Sequence, residues 1–447
     1  MKIKPILAVV LSMVLVACGQ KKESQTGSDG NPTGTTVATT SAAVNLPAPY
    51  ATKSAVNFSR VVGWPAGKTP TAPAGFRVTE YARDLTSPRW LYVAPNGDVF
   101  VAEANTEPKG IKEKVVDKVT GQSKSQPSGK SANRITLLRD TNKDGKPDQR
   151  ELFLTGLNQP FGMLVLGSSF YVANTDALLR YPYQSGQTKL MAASGKKILS
   201  LPAGGYNNHW TRNLLASPDG KKIYVSVGSG SNVGENGMEY EVRRANILEI
   251  NPDGTGERIY ASGLRNPVGM DWQPTANQNN SPTLYTAVNE RDELGDELVP
   301  VYLTSVKEGA FYGWPYAYYG HNVDPRRKDE RPDLVKKAVV PDVPLGAHTA
   351  SLGLAFYNQT AFPAKYHNGA FIGQHGSWNR SKFSGYKVAF VPFENGKPGK
   401  PKDFLTGFVT GKDKDVYGRP VGVAVLPDGS LLVADDAGGR IWRVAAK

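Results

Sequence analysis

Short runs of alternating apolar and polar residues dominate this chain of 447 residues. Typical runs are FRVTEYA at 76–82 and KIYVSVG at 222–228, and Gly, Pro, Asn and Asp cluster between such runs. Successive side chains of a strand point to opposite faces, so alternation of this kind indicates half-buried β-strands. Long stretches with a helical period are hard to find. The pattern therefore predicts an all-β fold.

A loose unit recurs along the chain: a polar or Pro-containing corner, a short apolar strand, a turn and a second strand. Six copies begin at Ser87, Gln159, His209, Asn266, Ser351 and Arg419. Repeats of this kind predict a six-bladed β-propeller with decorated loops. The stretch 76–85 precedes the first copy, and the last copy lacks a strand, so we expect 76–85 to complete the last blade. A pair of β-sandwiches is the alternative.

The corners matter because the first strand of each propeller blade lines the central channel. Polar side chains at the corners should therefore meet at one axial mouth. The corner residues are Arg89, Gln159, His209, Arg212, Asn266 and Arg419. For any one of them taken alone, capping of loop carbonyls is an equally good interpretation.

The N-terminus has the pattern of an export signal. Two lysines precede an apolar run that ends in LVAC, which resembles a bacterial lipobox and predicts lipidation of Cys18. We expect a signal peptide over 1–18, a flexible Ser/Thr/Gly-rich tether over 19–48 and the propeller over 49–447. A plain signal peptide with an incidental cysteine is the alternative. The expected location is the periplasmic side of a bacterial envelope, with the outer membrane favoured because Gly19 replaces a retention aspartate.

Composition narrows the choice of partners. Cys18 is the only cysteine, so no intramolecular disulfide can form and stability must come from a large core. The net charge of +13 is compatible with nucleic-acid binding. Export makes that partner unlikely, and an anionic small ligand or plain solubility fits better. Membrane contact is expected through the N-terminal lipid only.

His209 is the candidate general base, because an imidazole can take a proton near neutral pH. A lone loop histidine is usually structural, but the corner position favours a catalytic role. The remaining histidines lack zinc-like spacing, which argues against a zinc site. They are His321, His348, His367 and His375.

Two acidic segments are candidate calcium loops. NERDELGDELVP at 289–300 is rich in carboxylates, which repel each other unless a hard cation lies among them. DTNKDGKPDQRE at 140–151 matches the spacing of a calcium loop. Its expected ligands are the side chains of Asp140, Asn142, Asp144, Asp148 and Glu151 and the carbonyl of Lys146. A solvated loop and an ordinary Asp/Asn/Gly turn are the respective alternatives.

With these residues assembled, the chain resembles the soluble quinoprotein sugar dehydrogenases, the glucose/sorbosone dehydrogenase family, and looks closer to its sorbosone-dehydrogenase-like lipoprotein branch. The resemblance covers about residues 70–445. It rests on the His209 corner with its SPDG turn, LRNPVG at 264–269, NERDELGDE at 289–297, FYGWP at 311–315 and RPVGVAVLPDG at 419–429.

The resemblance implies a propeller that binds pyrroloquinoline quinone (PQQ) with calcium and oxidises aldoses. By position, His209 matches the base, Arg265 and Asn266 match a pair that holds quinone oxygens, and Arg419 matches an arginine that binds a PQQ carboxylate. The carbonyls of Arg291 and Asp292 match the cofactor calcium site. Glu297 and the Tyr312 carbonyl match a further calcium site.

Two departures bear on cofactor affinity and glucose preference. Asn379 and Arg380 stand where glucose dehydrogenases carry a lysine that contacts the cofactor, and Val421 replaces a second arginine. Among aromatic residues, Trp210, Trp314 and Trp378 either stack on sugar or quinone or pack between blades.

The leading interpretation is therefore a lipid-anchored, PQQ- and calcium-dependent dehydrogenase of a small sugar, which passes electrons to a quinone or cytochrome-type acceptor. The ring formed by His209, Arg265, Arg380 and Arg419 favours it. A calcium-dependent lactonase or esterase propeller is one alternative, and a non-catalytic propeller that binds sugar or protein is another.

Overall fold

The computed structural model describes residues 34–107, 125, 130–274, 281–412 and 414–447. Residues 1–33, which include the predicted signal peptide, Cys18 and the first part of the predicted tether, lie outside the described residues. None of the helices in the described ranges is long and apolar enough to cross a bilayer.

The described chain is almost entirely β-structure. The first half contains β1 (Thr35–Ala38), β2 (Ala43–Leu46), β3 (Arg60–Val61), β4 (Phe76–Ala82), β5 (Pro88–Val93), β6 (Val99–Glu103), β7 (Arg134–Arg139), β8 (Gln149–Leu154), β9 (Met163–Leu166), β10 (Ser169–Ala173), β11 (Ala177–Pro182), β12 (Lys196–Ser200), β13 (Leu214–Ala216), β14 (Ile223–Val227), β15 (Asn246–Ile250) and β16 (Arg258–Ser262). The second half contains β17 (Pro267–Gln273), β18 (Thr283–Val288), β19 (Pro300–Ser305), β20 (Ala317–Tyr318), β21 (Asn322–Val323), β22 (Val343–Ala347), β23 (Ser351–Phe356), β24 (Ala370–Gln374), β25 (Lys387–Val391), β26 (Phe393–Glu394), β27 (Lys397–Pro398), β28 (Lys402–Leu405), β29 (Asp415–Val416), β30 (Pro420–Val425), β31 (Leu431–Asp435) and β32 (Arg440–Ala446). One short helix, α1 (Pro332–Lys337), and 3₁₀ turns at Ala192–Ser194, Met238–Glu241 and Ala364–Tyr366 complete the assignment.

Six four-stranded antiparallel sheets form the blades within these ranges. They are β5–β8, β9–β12, β13–β16, β17–β18–β19–β22, β23–β24–β25–β28 and β30–β31–β32–β4. The first strand of every blade contacts the first strands of both neighbouring blades, and the sixth blade contacts the first. The prediction of a six-bladed propeller with decorated loops is confirmed.

The last blade is completed by a strand from near the start of the domain. Strand β4 pairs antiparallel with β32, with Phe76 opposite Ala446 and Ala82 opposite Ile441. This confirms the expectation for 76–85. The pairing closes the ring and leaves the C-terminal strand with a partner on each side.

A repeated glycine explains part of the sequence repeat. Gly269 and Gly353 lie in the first strands of neighbouring blades, where backbones meet closely. A Cβ on Gly353 would lie 2.2 Å from the Val421 carbonyl oxygen, and one on Gly269 would lie 2.7 Å from the Leu354 nitrogen. Any side chain at these positions would push the first strands apart.

Interlocking aromatic side chains fill the spaces between the blades. In one cluster Phe76, Phe371 and Phe404 pack together, with Phe371 and Phe404 4.6 Å apart between ring centres. In another, Phe100, Phe153 and other rings are buried between the first two blades. Burial of this apolar surface provides the stability that a chain without disulfides requires.

For residues 34–48 the prediction of a flexible tether needs correction, while residues 19–33 of the predicted tether lie outside the described residues. Strands β1 and β2 form an antiparallel hairpin, the side chain of Thr40 donates a hydrogen bond to the Asp342 carbonyl, and Leu46 is buried in a core cluster. Burial of Leu46 and the backbone ladder compensate for the ordering cost that the polar composition suggested. Residues 47–62, called the strap below, continue from this hairpin to β3, which pairs in parallel with β29.

Candidate active site

A polar cavity of about 380 Å³ lies where the first strands of the blades begin. Seven residues singled out from the sequence line it: Arg89, His209, Arg265, Asn266, Asp292, Trp378 and Arg419. Arg89 is the second residue of β5, and Asn266 and Arg419 immediately precede β17 and β30. The expected convergence of corners from different blades is therefore present in the fold.

The hydrogen bonds of His209 fix its tautomer. Its Nδ1 lies 2.9 Å from the Ser229 carbonyl oxygen and 3.0 Å from Ser229 Oγ. The Ser229 hydroxyl donates its own proton to the Ser231 carbonyl at 2.6 Å, so both oxygens accept and Nδ1 carries the hydrogen. Nε2 then keeps its lone pair, and no described residue bonds to it.

The surroundings of His209 keep the ring neutral. Burial and then the positive charge of Arg265 lower the pKa of His209 to about 3. Gly228 lets the ring lie against Asn266, because a Cβ on Gly228 would lie 2.6 Å from the His209 Cβ and 2.4 Å from Asn266 Oδ1. His209 is thus a neutral imidazole with an unprotonated Nε2 at the cavity.

Arg265 lines the cavity, yet the protein itself uses all five of its N–H bonds. Nε donates to the Asn232 carbonyl, Nη1 to the carbonyls of Asn289 and Glu290, and Nη2 to Asn232 Oδ1 and Asp292 Oδ2. The expectation that Arg265 holds quinone oxygens stays a prediction. Its guanidinium organises the 289–292 loop and provides positive charge beside His209.

A second histidine, which the sequence analysis did not select, lies across the cavity. His375 Nε2 is 2.9 Å from Asp436 Oδ1 and 3.1 Å from Oδ2. Asp436 also accepts a short hydrogen bond from Arg89 Nη1. Burial and then Arg419 lower the pKa of His375 to about 3. Burial alone would raise the pKa of Asp436, but His375 and Arg89 lower it below its usual range.

Arg89 and Arg419 differ in how far their donors are used. Arg419 donates to the carbonyls of His375, Gly376 and Ser125 and to Ser125 Oγ, and it is fully buried. Arg89 Nε is buried and has no partner among the described residues. A buried N–H without an acceptor is costly, so Arg89 is suited to an anionic ligand.

Unpartnered acceptors lie on the same cavity lining. Asn266 Oδ1, Asn289 Oδ1 and Glu290 Oε1 are buried and accept no hydrogen bond within the described ranges. Burial raises the pKa of Glu290 to about 7. Carbonyl and carboxyl oxygens in this state require a proton donor or a hard cation.

Asp292 is held by two cationic neighbours. Its Oδ2 accepts from Arg265, and its Oδ1 lies 3.3 Å from Nδ1 of His348. The His348 Nε2 donates to the Gly295 carbonyl at 2.9 Å. Burial would raise the pKa of Asp292, but the bond from His348 and the charge of Arg265 lower it. Asp292 is therefore an anion that joins two loops.

Two predicted cofactor residues have structural roles instead. Arg212 is fully buried and donates to the carbonyls of His209, Thr211 and Pro202 and to Asn207 Oδ1. Gln159 is buried and donates to the Asn105 carbonyl. Neither lines the cavity, and both match the carbonyl-capping alternative.

Asn289, Glu290 and Asp292 of the 289–300 loop line the cavity, whereas the other predicted residues of this region do not. The Arg291 side chain pairs with buried Asp324, and the Asp292 carbonyl accepts from Arg291 Nε at 3.0 Å. Asn379 Oδ1 accepts from the Glu293 amide, and Arg380 forms an ion pair with Glu297. Tyr312 is buried in the core cluster around β19. Asn379 and Arg380 are not among the lining residues, and their direct cofactor roles stay a prediction.

The 140–151 segment forms a turn in which acidic side chains accept hydrogen bonds from the loop itself. Asp140 accepts from the amides of Asp144 and Gly145, and Asp148 accepts from the Thr141 amide and hydroxyl. In the ranges that the structure describes, no three acidic, His or Cys side chains gather in a way that could hold a metal. The calcium-stapled hairpin stays a prediction.

One positional signal would have found the residues that the sequence analysis missed. His375 follows β24, Asp436 follows β31, and Asn289 and Glu290 follow β18. Each of these is the second strand of its blade. Antiparallel pairing places the end of the second strand beside the start of the first, so both line the mouth.

Comparison with known proteins places the chain in a family. The family model described as TrAA12-like matches residues 70–447. A protein of Borreliella burgdorferi, described as uncharacterized, is 34% identical over 305 residues, which are 64% of this chain and 76% of that protein.

Solved structures share the fold at low identity. The holo PQQ domain of pyranose dehydrogenase from Coprinopsis cinerea superposes with a TM-score of 0.65 at 18% identity, covering 87% of this chain and 100% of that one. The calcium structure of a Trichoderma reesei family AA12 enzyme gives a TM-score of 0.66 at 18% identity, covering 88% and 99%. Together with the family match over residues 70–447, they confirm the resemblance to the soluble PQQ-dependent sugar dehydrogenases, while the likeness to the sorbosone-dehydrogenase-like lipoprotein branch stays a prediction.

Proposed function

This chain belongs to the TrAA12-like family, and from that premise we propose that it is a PQQ- and calcium-dependent dehydrogenase of an aldose or sugar aldehyde. The observation that carries the proposal is the neutral His209 with an unprotonated Nε2, set in a cavity with the unpartnered Arg89 Nε on one side and unpartnered acceptors on the other.

The residues present fit an anionic quinone. PQQ carries three carboxylates, and Arg89 offers a buried Nε without an acceptor. Arg419 adds a second guanidinium at the same lining. In this proposal Arg89 and Arg419 hold carboxylates of the cofactor, which supplies the two-electron acceptor of the reaction.

The opposite side fits calcium. Asn266 Oδ1, Asn289 Oδ1 and Glu290 Oε1 are oxygen ligands of the kind that calcium prefers. Calcium there would supply Lewis acidity. Support for a calcium-dependent lactonase is weaker, because the described residues include no group of three acidic or histidine ligands.

A residue of the chain accepts the proton that the substrate hydroxyl loses. Oxidation of a hemiacetal removes a hydride from carbon and a proton from its hydroxyl. His209 Nε2 is the acceptor for that proton, while the Nδ1 bond to Ser229 fixes the ring. The charge of Arg265 disfavours a protonated ring in the free protein, so the base is ready before substrate arrives.

The cellular setting is part of the proposal. The lysines, apolar run and LVAC sequence support lipidation of Cys18 and a periplasm-facing site at the bacterial outer membrane. Electrons would then pass to a quinone or cytochrome-type acceptor.

The test is a titration of metal-stripped protein with PQQ and calcium, followed by a panel of aldoses and an artificial electron acceptor. We expect saturable PQQ binding and sugar-dependent bleaching of the quinone absorbance. His209→Asn should keep the binding and lose the bleaching. If PQQ fails to bind at micromolar concentration, the proposal is wrong, and lactone hydrolysis with calcium becomes the next assay.

A further inference from the structure

The strap supplies a cavity residue from outside the part of the chain that the family model matches. Phe58 lines the cavity, whereas the match begins at residue 70. The Phe58 ring stacks on Trp378, another lining residue, with ring centres 5.7 Å apart and planes 9° apart.

Hydrogen bonds hold the strap across two loops that carry cavity residues. On the first loop, the Tyr50 amide donates to the Leu294 carbonyl at 2.7 Å and the Asp296 amide donates to Thr52 Oγ1 at 2.8 Å. The close approach requires Gly295, since a Cβ there would lie 2.9 Å from Thr52 Oγ1.

The second loop is bound just as directly. The Asn57 amide donates to the Trp378 carbonyl at 2.7 Å, and Asn57 Nδ2 donates to the Ser381 carbonyl at 2.8 Å. Beyond Phe58, Ser59 Oγ lies 2.9 Å from Ser125 Oγ, and Ser125 accepts from Arg419. Phe58 is therefore fixed between anchors on both sides.

The cavity is small for the ligands proposed above. Its volume of about 380 Å³ is near the lower end of the usual range for small-molecule sites, roughly 300–1,000 Å³. A tricyclic quinone and a sugar must share it. The neighbouring strap residue Val56 is 60% exposed, which places this part of the strap at the outer rim.

We propose that Phe58 is a specificity-determining residue, which together with Trp378 closes one side of the rim and restricts the site to a single sugar ring. The inference rests on the proposed function. Its chemical basis is exclusion, because a second ring linked to the first would meet the stacked aromatic pair.

The experiment compares Phe58→Ala, Phe58→Trp and the control Val56→Ala with the wild-type protein. kcat/KM is measured for a monosaccharide and for its disaccharide and trisaccharide. Phe58→Ala should raise the disaccharide-to-monosaccharide ratio by roughly tenfold or more. Phe58→Trp should lower the ratio, and Val56→Ala should leave it unchanged.

Binding without turnover separates this inference from the proposed function. Saturation-transfer NMR with the same saccharides should show trisaccharide binding to Phe58→Ala and only monosaccharide binding to the wild type. If the wild type binds monosaccharides but oxidises none, the proposed function fails and the role of Phe58 stands. Equal size discrimination by wild type and Phe58→Ala, or no saccharide binding to either, would overturn the role of Phe58.

Discussion

Two sides of the cavity contain the same three residue types but pair them differently. The base side consists of His209, Arg265 and Asp292. The dyad side, named after the His375–Asp436 pair, consists of His375, Arg89 and Asp436. On the base side the imidazole bonds to a backbone carbonyl and the carboxylate is bound by arginine and His348. On the dyad side the carboxylate binds the imidazole directly.

The comparison shows that the partner of a histidine matters more than its presence in a cavity. The carboxylate of Asp436 orients His375 and is itself neutralised by Arg89, whose Nε stays unused. Arg265 uses every donor on protein oxygens. We therefore assign proton transfer to the base side and anion binding to the dyad side.

The largest expected effect separates the two histidines. His209→Ala should reduce turnover of the PQQ-loaded protein by about 10²–10⁴, the usual contribution of a general base. Exposed His321, replaced by alanine, is the control. Stopped-flow quinone reduction measures the step. The assignment fails if His375→Ala abolishes reduction while His209→Ala keeps it.

Removal of the dyad carboxylate should act mainly on stability. Asp436→Ala leaves Arg89 and His375 without their shared buried partner, and breaking a buried pair typically costs about 3–5 kcal/mol. Urea unfolding at neutral pH gives the free energy. Asp219→Ala, in an exposed turn, is the matched control. A loss under about 1 kcal/mol would show that the dyad side does not depend on this carboxylate.

Replacement by lysine should affect stability at Arg265 and PQQ binding at Arg89. Arg265→Lys leaves several loop oxygens without donors, so we expect a loss of about 1–3 kcal/mol in unfolding free energy.

Arg89→Lys keeps charge near Asp436 but loses Nε. PQQ affinity should fall about tenfold, or about 1.4 kcal/mol, measured by absorbance titration. The reverse pattern would contradict the division between the two sides.

The smallest expected effect is on how stability depends on pH. The folded state lowers the pKa of His209 to about 3, whereas an imidazole in the unfolded chain titrates near 6.5. The unfolded state therefore binds more protons below pH 6.5, and stability falls as pH falls. Between pH 7 and 5 the unfolding free energy of His209→Gln should fall by about 1 kcal/mol less than that of the wild type. The difference is kept this small because the ring is partly exposed to the cavity. Parallel losses in urea unfolding would show that His209 is not held neutral.

Sequence reasoning reached the architecture because the repeat is local. The corner, strand and turn pattern lies within each copy, and the missing strand of the last copy identified β4 as its partner. The same reasoning found Arg89, Asn266 and Arg419 at the mouth, since these residues stand directly beside the first strands.

What the sequence could not provide was the partner of each polar group. Arg212 and Arg265 have similar corner positions in the sequence, yet most of their donors bond to protein oxygens that only the folded loops bring near. His375 and Asp436 are 61 residues apart. The polar composition of 34–48 also concealed an ordered hairpin, because its stabilising contacts come from distant parts of the chain.

The pairing of Arg89 with Asp436 across 347 residues of sequence has a consequence for biosynthesis. During translation the first blade emerges long before the strand that carries its partner, and ring closure also needs β32 to meet β4. A nascent chain therefore has no complete anion-binding side to its cavity until Asp436 has left the ribosome. Binding of a cofactor at this side then has to follow synthesis of all six blades.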